Sequence, residues 1–74
     1  MSVEAALQQV WVNNAPHPVS GPTALLAVLE ALGLAGRKGM AAAVNGEVVP
    51  RSSWPARLLV PGDRVLLIRA TQGG

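Results

Sequence analysis

The sequence predicts an α+β domain, with one main helix packed on one face of a mixed sheet of four to five strands. The stretch QVWVNN alternates apolar and polar residues like a half-buried strand, and RVLLIR is a short apolar run after a turn signal. Between them, ALLAVLEALG repeats apolar residues at helical spacing. With 74 residues, the chain is expected to form a single domain, residues 1–74.

The amino-terminal part predicts a hairpin. Residues 1–7, MSVEAAL, have no strong period and are expected to be a loose leader. In the following strand, Val10 and Val12 lie on one side and Trp11 on the other. Asn13 and Asn14 suit a tight turn, and APHPV can return as an edge strand, where prolines disrupt least.

The run ALLAVLEALG predicts the main helix. Thr23 is the expected N-cap, and Gly33 is the expected stop just beyond the last turn. One face carries four apolar residues at i, i+3, i+4 and i+7. They are Leu25, Val28, Leu29 and Leu32. This apolar face of the helix is expected to pack against a sheet.

The second half predicts a hairpin, a crossover and a last strand. MAAAVNGEVVP is expected to form two strands around an Asn45-Gly46 turn, ended by Pro50. RSSWPARLLVPGD is expected to be an irregular crossover anchored by Trp54, and RVLLIR the last strand. Asp63 is expected to cap the turn before that strand. The order β, β, α, β, β, β matches the β-grasp arrangement of ubiquitin-like folds.

Composition restricts the chemistry that this chain can perform alone. It has no cysteine, so disulfides, thiolate nucleophiles and cysteine-ligated zinc are excluded, and His17 is its single histidine. Its four acidic residues are dispersed, so we expect no metal site and no enzyme acting by itself. The charge of +2 is not clustered with aromatic residues as in nucleic-acid modules. No apolar run approaches the length of a membrane span and no targeting segment is evident, which predicts a cytoplasmic protein.

Three ordered motifs carry a family resemblance. They are AVNGEVVPRSSW from Ala43 to Trp54, PGD from Pro61 to Asp63, and the final glycine pair. In order and spacing, from Gln8 to Gly74, the chain resembles the ThiS family, the ubiquitin-like sulfur-carrier proteins of thiamine biosynthesis.

The resemblance implies a carrier function at the carboxyl end. An E1-like adenylating enzyme of the ThiF type would activate the Gly74 carboxylate with ATP and Mg²⁺, and a persulfide donor would convert it to a thiocarboxylate. Thiazole synthase of the ThiG type would accept the sulfur, so no cofactor is expected on the carrier itself. Gly73 and Gly74 would pass through a narrow channel, with Thr71 and Gln72 giving reach. Residues 70–74, expected to be a flexible tail, span at most about 17 Å.

Two alternatives remain open at this point. Small subunits of molybdopterin synthase share the fold, the Gly-Asp turn and the terminal glycines, and they would keep the tail in a catalytic partner permanently. A plain ubiquitin-like interaction module would not use its glycines at all. Thiocarboxylate formation distinguishes both carriers from the module.

The last strand predicts a second functional surface. Val65 and Leu67 lie on one face of it, while Leu66 and Ile68 lie on the other. Since one helix covers one face, we expect Trp11, Leu66 and Ile68 to form an apolar patch on the open face, and we expect this patch, together with Arg69 next to the tail, to bind the partners. The alternative is that the leader or the crossover covers it. Arg51 and Trp54 are expected to hold the crossover, with partner contact as the second possibility.

Overall fold

The computed structural model describes residues 8–36 and 38–69. The predicted loose leader, residues 1–7, and the predicted flexible tail, residues 70–74, lie outside the described residues.

Seven strands and one α-helix are present in the described part of the chain. In chain order they are β1 (Gln9–Val12), β2 (Ala15–Pro18), β3 (Thr23–Ala24), α1 (Leu25–Ala31), β4 (Met40–Val44), β5 (Glu47–Val49), β6 (Leu58–Leu59) and β7 (Arg64–Arg69). A 3₁₀ turn, Arg51–Ser53, lies between β5 and β6.

The main sheet has the strand order β2-β1-β7-β4-β5. β7 lies at its centre, parallel to β1 and antiparallel to β4. The hairpins β1-β2 and β4-β5 flank it, and α1 packs on one face. This mixed sheet with one helix confirms the predicted fold. Strands β3 and β6 form a separate two-stranded sheet that was not predicted, because β3 lies at the expected start of the helix and β6 within the expected irregular crossover.

Both predicted hairpin turns are present. Asn13 and Asn14 have φ of 51° and 71°, and Asn45 and Gly46 have φ of 52° and 87°, the positive values that a two-residue type I′ turn requires. Asparagine tolerates this conformation better than most residues, and glycine adopts it freely. The local sequence therefore determines both turns.

The prolines of β2 lie where a strand tolerates them. β2 is an edge strand, and its residues Pro16 and Pro18 pair with Trp11 and Gln9 of β1. Val12 and Ala15 form the hydrogen-bonded pair next to the turn. Because hydrogen-bonded and non-hydrogen-bonded pairs alternate along an antiparallel ladder, Pro16 and Pro18 lie in non-hydrogen-bonded pairs, and their nitrogens face the open edge. No ladder hydrogen bond is lost, and this edge offers no N–H donor at these positions.

The start of α1 differs from the prediction. Ala24, not Thr23, occupies the N-cap and makes no side-chain capping bond, while the Thr23 hydroxyl donates to the Gly21 carbonyl at 2.9 Å. Carbonyls of the crossover accept from the first helical amides instead, Leu25 N–H to Arg57 at 2.8 Å and Leu26 N–H to Trp54 at 3.1 Å. Tertiary contacts thus replace the hydroxyl cap.

The end of α1 also corrects one expectation. Gly33 has φ of 74° and its N–H bonds the Glu30 carbonyl, as expected for a helix stop. However, the helix ends at Ala31, and Leu32 is 41% exposed rather than part of the buried stripe. The other three stripe residues are buried in one core with the inward residues of the sheet. That core comprises Val10, Val12, Leu25, Val28, Leu29, Ala42, Val44, Val49, Trp54, Leu59, Val65 and Leu67.

Candidate functional site

The central strand leads directly to the predicted working end of the chain. β7 pairs with β4 from Val65 to its last residue, Arg69, which lies opposite Met40. Thr71, Gln72, Gly73 and Gly74 follow and lie outside the described residues, as does the side chain of Arg69. The sheet therefore fixes the point from which the tail starts.

The open face of the sheet carries the predicted apolar patch. Leu66 is 51% and Ile68 48% exposed, whereas Val65 and Leu67 are buried beneath α1. Trp11 is half-buried on the same face as Leu66. The predicted division of β7 between two faces is confirmed, while its use for partner binding stays a prediction.

The crossover does not cover the open face. Trp54, at its centre, is fully buried in the core beneath α1, and its carbonyl accepts from Leu26 of the helix. The crossover therefore packs on the helical side of the sheet. The alternative in which this loop shields the patch is wrong, and the leader lies outside the described residues.

A shallow depression of about 300 Å³ lies on the open face between the two asparagine turns. Its residues are Trp11, Asn13, Asn14, Ala43, Asn45, Gly46, Arg64, Val65 and Leu66. The Arg64 guanidinium carbon lies 5.5 Å from the centre of the Trp11 ring, within cation–π range. Arg64 is not among the predicted site residues, because its proximity to Trp11 depends on the parallel register of β1 and β7.

Asp63 joins two of the family motifs. Its carboxylate accepts from the Val60 amide at 2.9 Å, which caps the turn as predicted, and from Asn45 Nδ2 at 3.0 Å. Asn45 Oδ1 in turn accepts from the Arg64 amide at 2.9 Å. The Asn-Gly turn and the Gly-Asp turn thus form one network that fixes the start of β7.

Arg51 and Trp54 hold the crossover, as expected. The Trp54 indole N–H donates to the buried Val49 carbonyl at 3.0 Å. Arg51 lies over the same ring, 5.1 Å from its centre, and donates to the Ala35 carbonyl. The Val-Pro-Arg-x-x-Trp motif is therefore explained by intramolecular packing.

Asn13 has a role that sequence reasoning missed. Its backbone amide bonds the Val65 carbonyl at 2.9 Å, after which β1 turns away into the hairpin. Its side-chain oxygen then accepts from the Leu67 amide at 2.9 Å, in place of the next backbone carbonyl. The side chain thereby extends the pairing of β7 by one position toward the tail.

Clusters of metal-ligating side chains are not present in the described ranges, 8–36 and 38–69. No group of three or more potential metal ligands occurs among these residues. The ion pair between Arg57 and Glu47 is long, at 3.8 Å, and exposed on the Glu47 side. Within the same ranges, no helix is long and apolar enough to cross a bilayer.

The sequence model of the ThiS family matches residues 10–74, and this range contains all three motifs and both terminal glycines. The chain belongs to the ThiS family. The predicted family is thereby confirmed.

Named relatives agree with this assignment. The chain is 39% identical over 36 residues to sulfur carrier protein ThiS from Escherichia coli strain K12, a match that covers 49% of this chain and 54% of the relative. The match thus spans about half of that curated protein. A crystal structure of a thiamine biosynthesis protein (ThiS) from Geobacter metallireducens superposes with a TM-score of 0.75 at 29% identity, covering 89% of this chain and 99% of the other. A solution structure of a thiamine biosynthesis protein from the same organism gives 0.65 at 29% identity, covering 89% and 87%.

Proposed function

We propose that this ThiS-family chain is the sulfur carrier of thiamine biosynthesis. The observation that carries the proposal is the family match, which runs without interruption from β1 through Gly74. The names of the Escherichia coli and Geobacter relatives support thiamine biosynthesis over the molybdopterin alternative. The intact β-grasp fold supports it further, since the sheet gives the tail a fixed base.

The proposed reaction takes place at the Gly74 carboxylate. An E1-like adenylating enzyme transfers AMP from MgATP to this carboxylate and releases pyrophosphate, because a free carboxylate has no adequate leaving group. The terminal sulfur of a persulfide donor then displaces AMP and forms an acyl disulfide with the Gly74 carbonyl. A thiol attacks the donor-side sulfur of this disulfide, which leaves the thiocarboxylate on Gly74 and a new disulfide on the donor. Thiazole synthase takes the sulfur from the thiocarboxylate. The chain is a co-substrate in this scheme, and the partner enzymes stabilise the developing charge.

The terminal glycines fit this chemistry by their lack of side chains. A chain of five residues, 70–74, reaches at most about 17 Å, enough to enter a partner's active site while the folded body stays outside. Any substituent at Gly74 would crowd the carbonyl carbon under attack. Because the proposed reaction consumes ATP, we propose that the carrier acts in the cytoplasm.

The open face is the proposed docking surface for the partners. Leu66 and Ile68 are about half exposed there, on the strand that leads into the tail. Trp11 of β1 extends this proposed surface across the sheet, and Arg69, the last residue of β7, is a further candidate for partner contact. A partner that binds this face would hold the body at a fixed distance from the emerging tail.

Deletion of Gly74 tests the carrier function. We expect the shortened chain to fold normally but to gain no sulfur when incubated with its adenylating enzyme, MgATP and a persulfide donor. Intact-mass spectrometry detects the exchange of oxygen for sulfur in the full-length chain. A normal gain of sulfur on the shortened chain would refute the proposal.

A matched pair of leucine variants tests docking through their binding to the adenylating enzyme. Leu66 is 51% exposed on the open face, and Leu58 is 57% exposed on β6, outside the main sheet. We expect Leu66→Asp to weaken binding to the adenylating enzyme and Leu58→Asp to leave it unchanged. Equal binding by two folded variants would remove the open face from the proposal.

A further inference from the structure

The depression beside Trp11 has a cation, the guanidinium of Arg64, at its edge. Arg64 is exposed at the edge of the depression, stacked on Trp11, and forms no ion pair among the described residues. The apolar surface beneath it includes Ala43 and the half-exposed Leu66. An apolar floor next to an arginine is the composition of a protein-binding site rather than of a purely solvated surface.

Two acidic residues of the neighbouring strands and turns, Asp63 and Glu47, have other partners. Asp63 precedes Arg64, but its two oxygens accept from Val60 and Asn45. Glu47, across the hairpin, has its nearest oxygen 3.8 Å from Arg57. Arg64 thus has no carboxylate partner among the described residues, and its guanidinium can pair with a carboxylate of another protein.

Asn14 adds a second polar group to the same rim. Its side chain is exposed, lines the depression, and forms no hydrogen bond within the described residues, in contrast to the engaged amides of Asn13 and Asn45. An arginine fork and an amide N–H₂ both donate to carboxylate oxygens. The rim therefore complements an anion, and the floor complements an apolar side chain.

We propose that this depression receives a segment of the adenylating enzyme in which an apolar side chain stands next to a carboxylate. The apolar side chain contacts Trp11, Ala43 and Leu66, and the carboxylate pairs with Arg64. The inference rests on the proposed function, and in it Arg64 is the residue of the open face that recognises this partner by charge. Arg64 contributes to the rate and specificity of docking and takes no part in the transfer of sulfur.

Replacement of Arg64 tests the charge directly. We expect Arg64→Glu to raise the Kd for the adenylating enzyme about tenfold or more, and Arg64→Gln to raise it severalfold. Arg57→Gln is the matched control, because it removes the same charge from an arginine that already has an internal partner. Binding is measured by titration calorimetry at two salt concentrations, with circular dichroism as the folding check.

The salt dependence separates charge pairing from a change in shape. Binding of the unaltered chain is expected to weaken as salt increases, and Arg64→Gln is expected to reduce this dependence. Arg64→Lys should retain the salt dependence while losing part of the affinity with the planar stack on Trp11. If Arg64→Gln and Arg64→Glu both bind within twofold of Arg57→Gln at low salt, the inference is overturned.

Failure of the carrier function would give a different result. In that case the unaltered chain would gain no sulfur in the mass assay, whatever its affinity for the enzyme. Failure of this inference alone would leave normal sulfur transfer in the unaltered chain and equal affinities in the Arg64 and Arg57 variants.

Discussion

Replacement of Trp54 by phenylalanine should destabilise the protein more than its conservative appearance suggests. The indole is fully buried, and its N–H donates to the Val49 carbonyl at 3.0 Å. Phenylalanine retains an aromatic ring in the core but has no donor. The variant therefore leaves a buried backbone carbonyl without its partner.

The magnitude follows from two contributions. An unsatisfied buried acceptor costs about 1–3 kcal/mol. The smaller ring leaves a void of about 40 Å³, which at about 24 cal/mol per Å³ costs about 1 kcal/mol more. The expected loss of about 2–4 kcal/mol is large for a domain of 74 residues, whose total stability is about 4–11 kcal/mol.

Urea unfolding followed by far-UV circular dichroism measures this loss, and Trp11→Phe provides the control. Trp11 is only half-buried, and its indole N–H has no partner among the described residues, so the same replacement there should cost less than about 1 kcal/mol. If Trp54→Phe costs no more than Trp11→Phe, the bond to Val49 does not hold the crossover and the argument is wrong.

Two further predictions concern the placement of β7. Asp63→Ala should lower the free energy of unfolding by about 1–2 kcal/mol, because the Val60 amide and Asn45 Nδ2 lose their acceptor. Thermal or urea unfolding measures it, and an unchanged stability would show that the network is not needed. Asn13→Gly should speed amide hydrogen exchange at Leu67 about fivefold, since glycine keeps the positive φ but has no side-chain oxygen. Asn13→Asp retains an acceptor and should exchange like the unaltered chain, and equal exchange in the glycine variant would contradict the proposed bond.

Local chemistry was sufficient to predict the strands of the main sheet, their hairpin turns and the family. β7 spans the predicted RVLLIR, and both hairpins close at the predicted dipeptides because positive φ favours asparagine and glycine in any context. The alternation of Val65 and Leu67 with Leu66 and Ile68 also required only the period of a strand. These features depend on residues that are close together in sequence.

The N-terminus of α1 could not be predicted from neighbouring residues alone. Thr23 is a good N-cap in isolation, yet the crossover, more than 30 residues later in the chain, supplies carbonyls to the first amides of α1. Thr23 is then free to pair with Leu59 in β3. A local sequence pattern cannot predict a hydrogen-bond acceptor that belongs to a distant part of the chain.

The sequence by itself determined the β-grasp order, the two faces of the central strand and the ThiS-family motifs, because each depends on backbone preferences or on short spacings. Only the tertiary structure decided that Asp63 meets Asn45, that Asn13 extends the pairing of β7 and that Arg64 stacks on Trp11. The physical reason is register. These contacts join residues 18, 54 and 53 positions apart, and their proximity depends on how strands are aligned across the whole sheet.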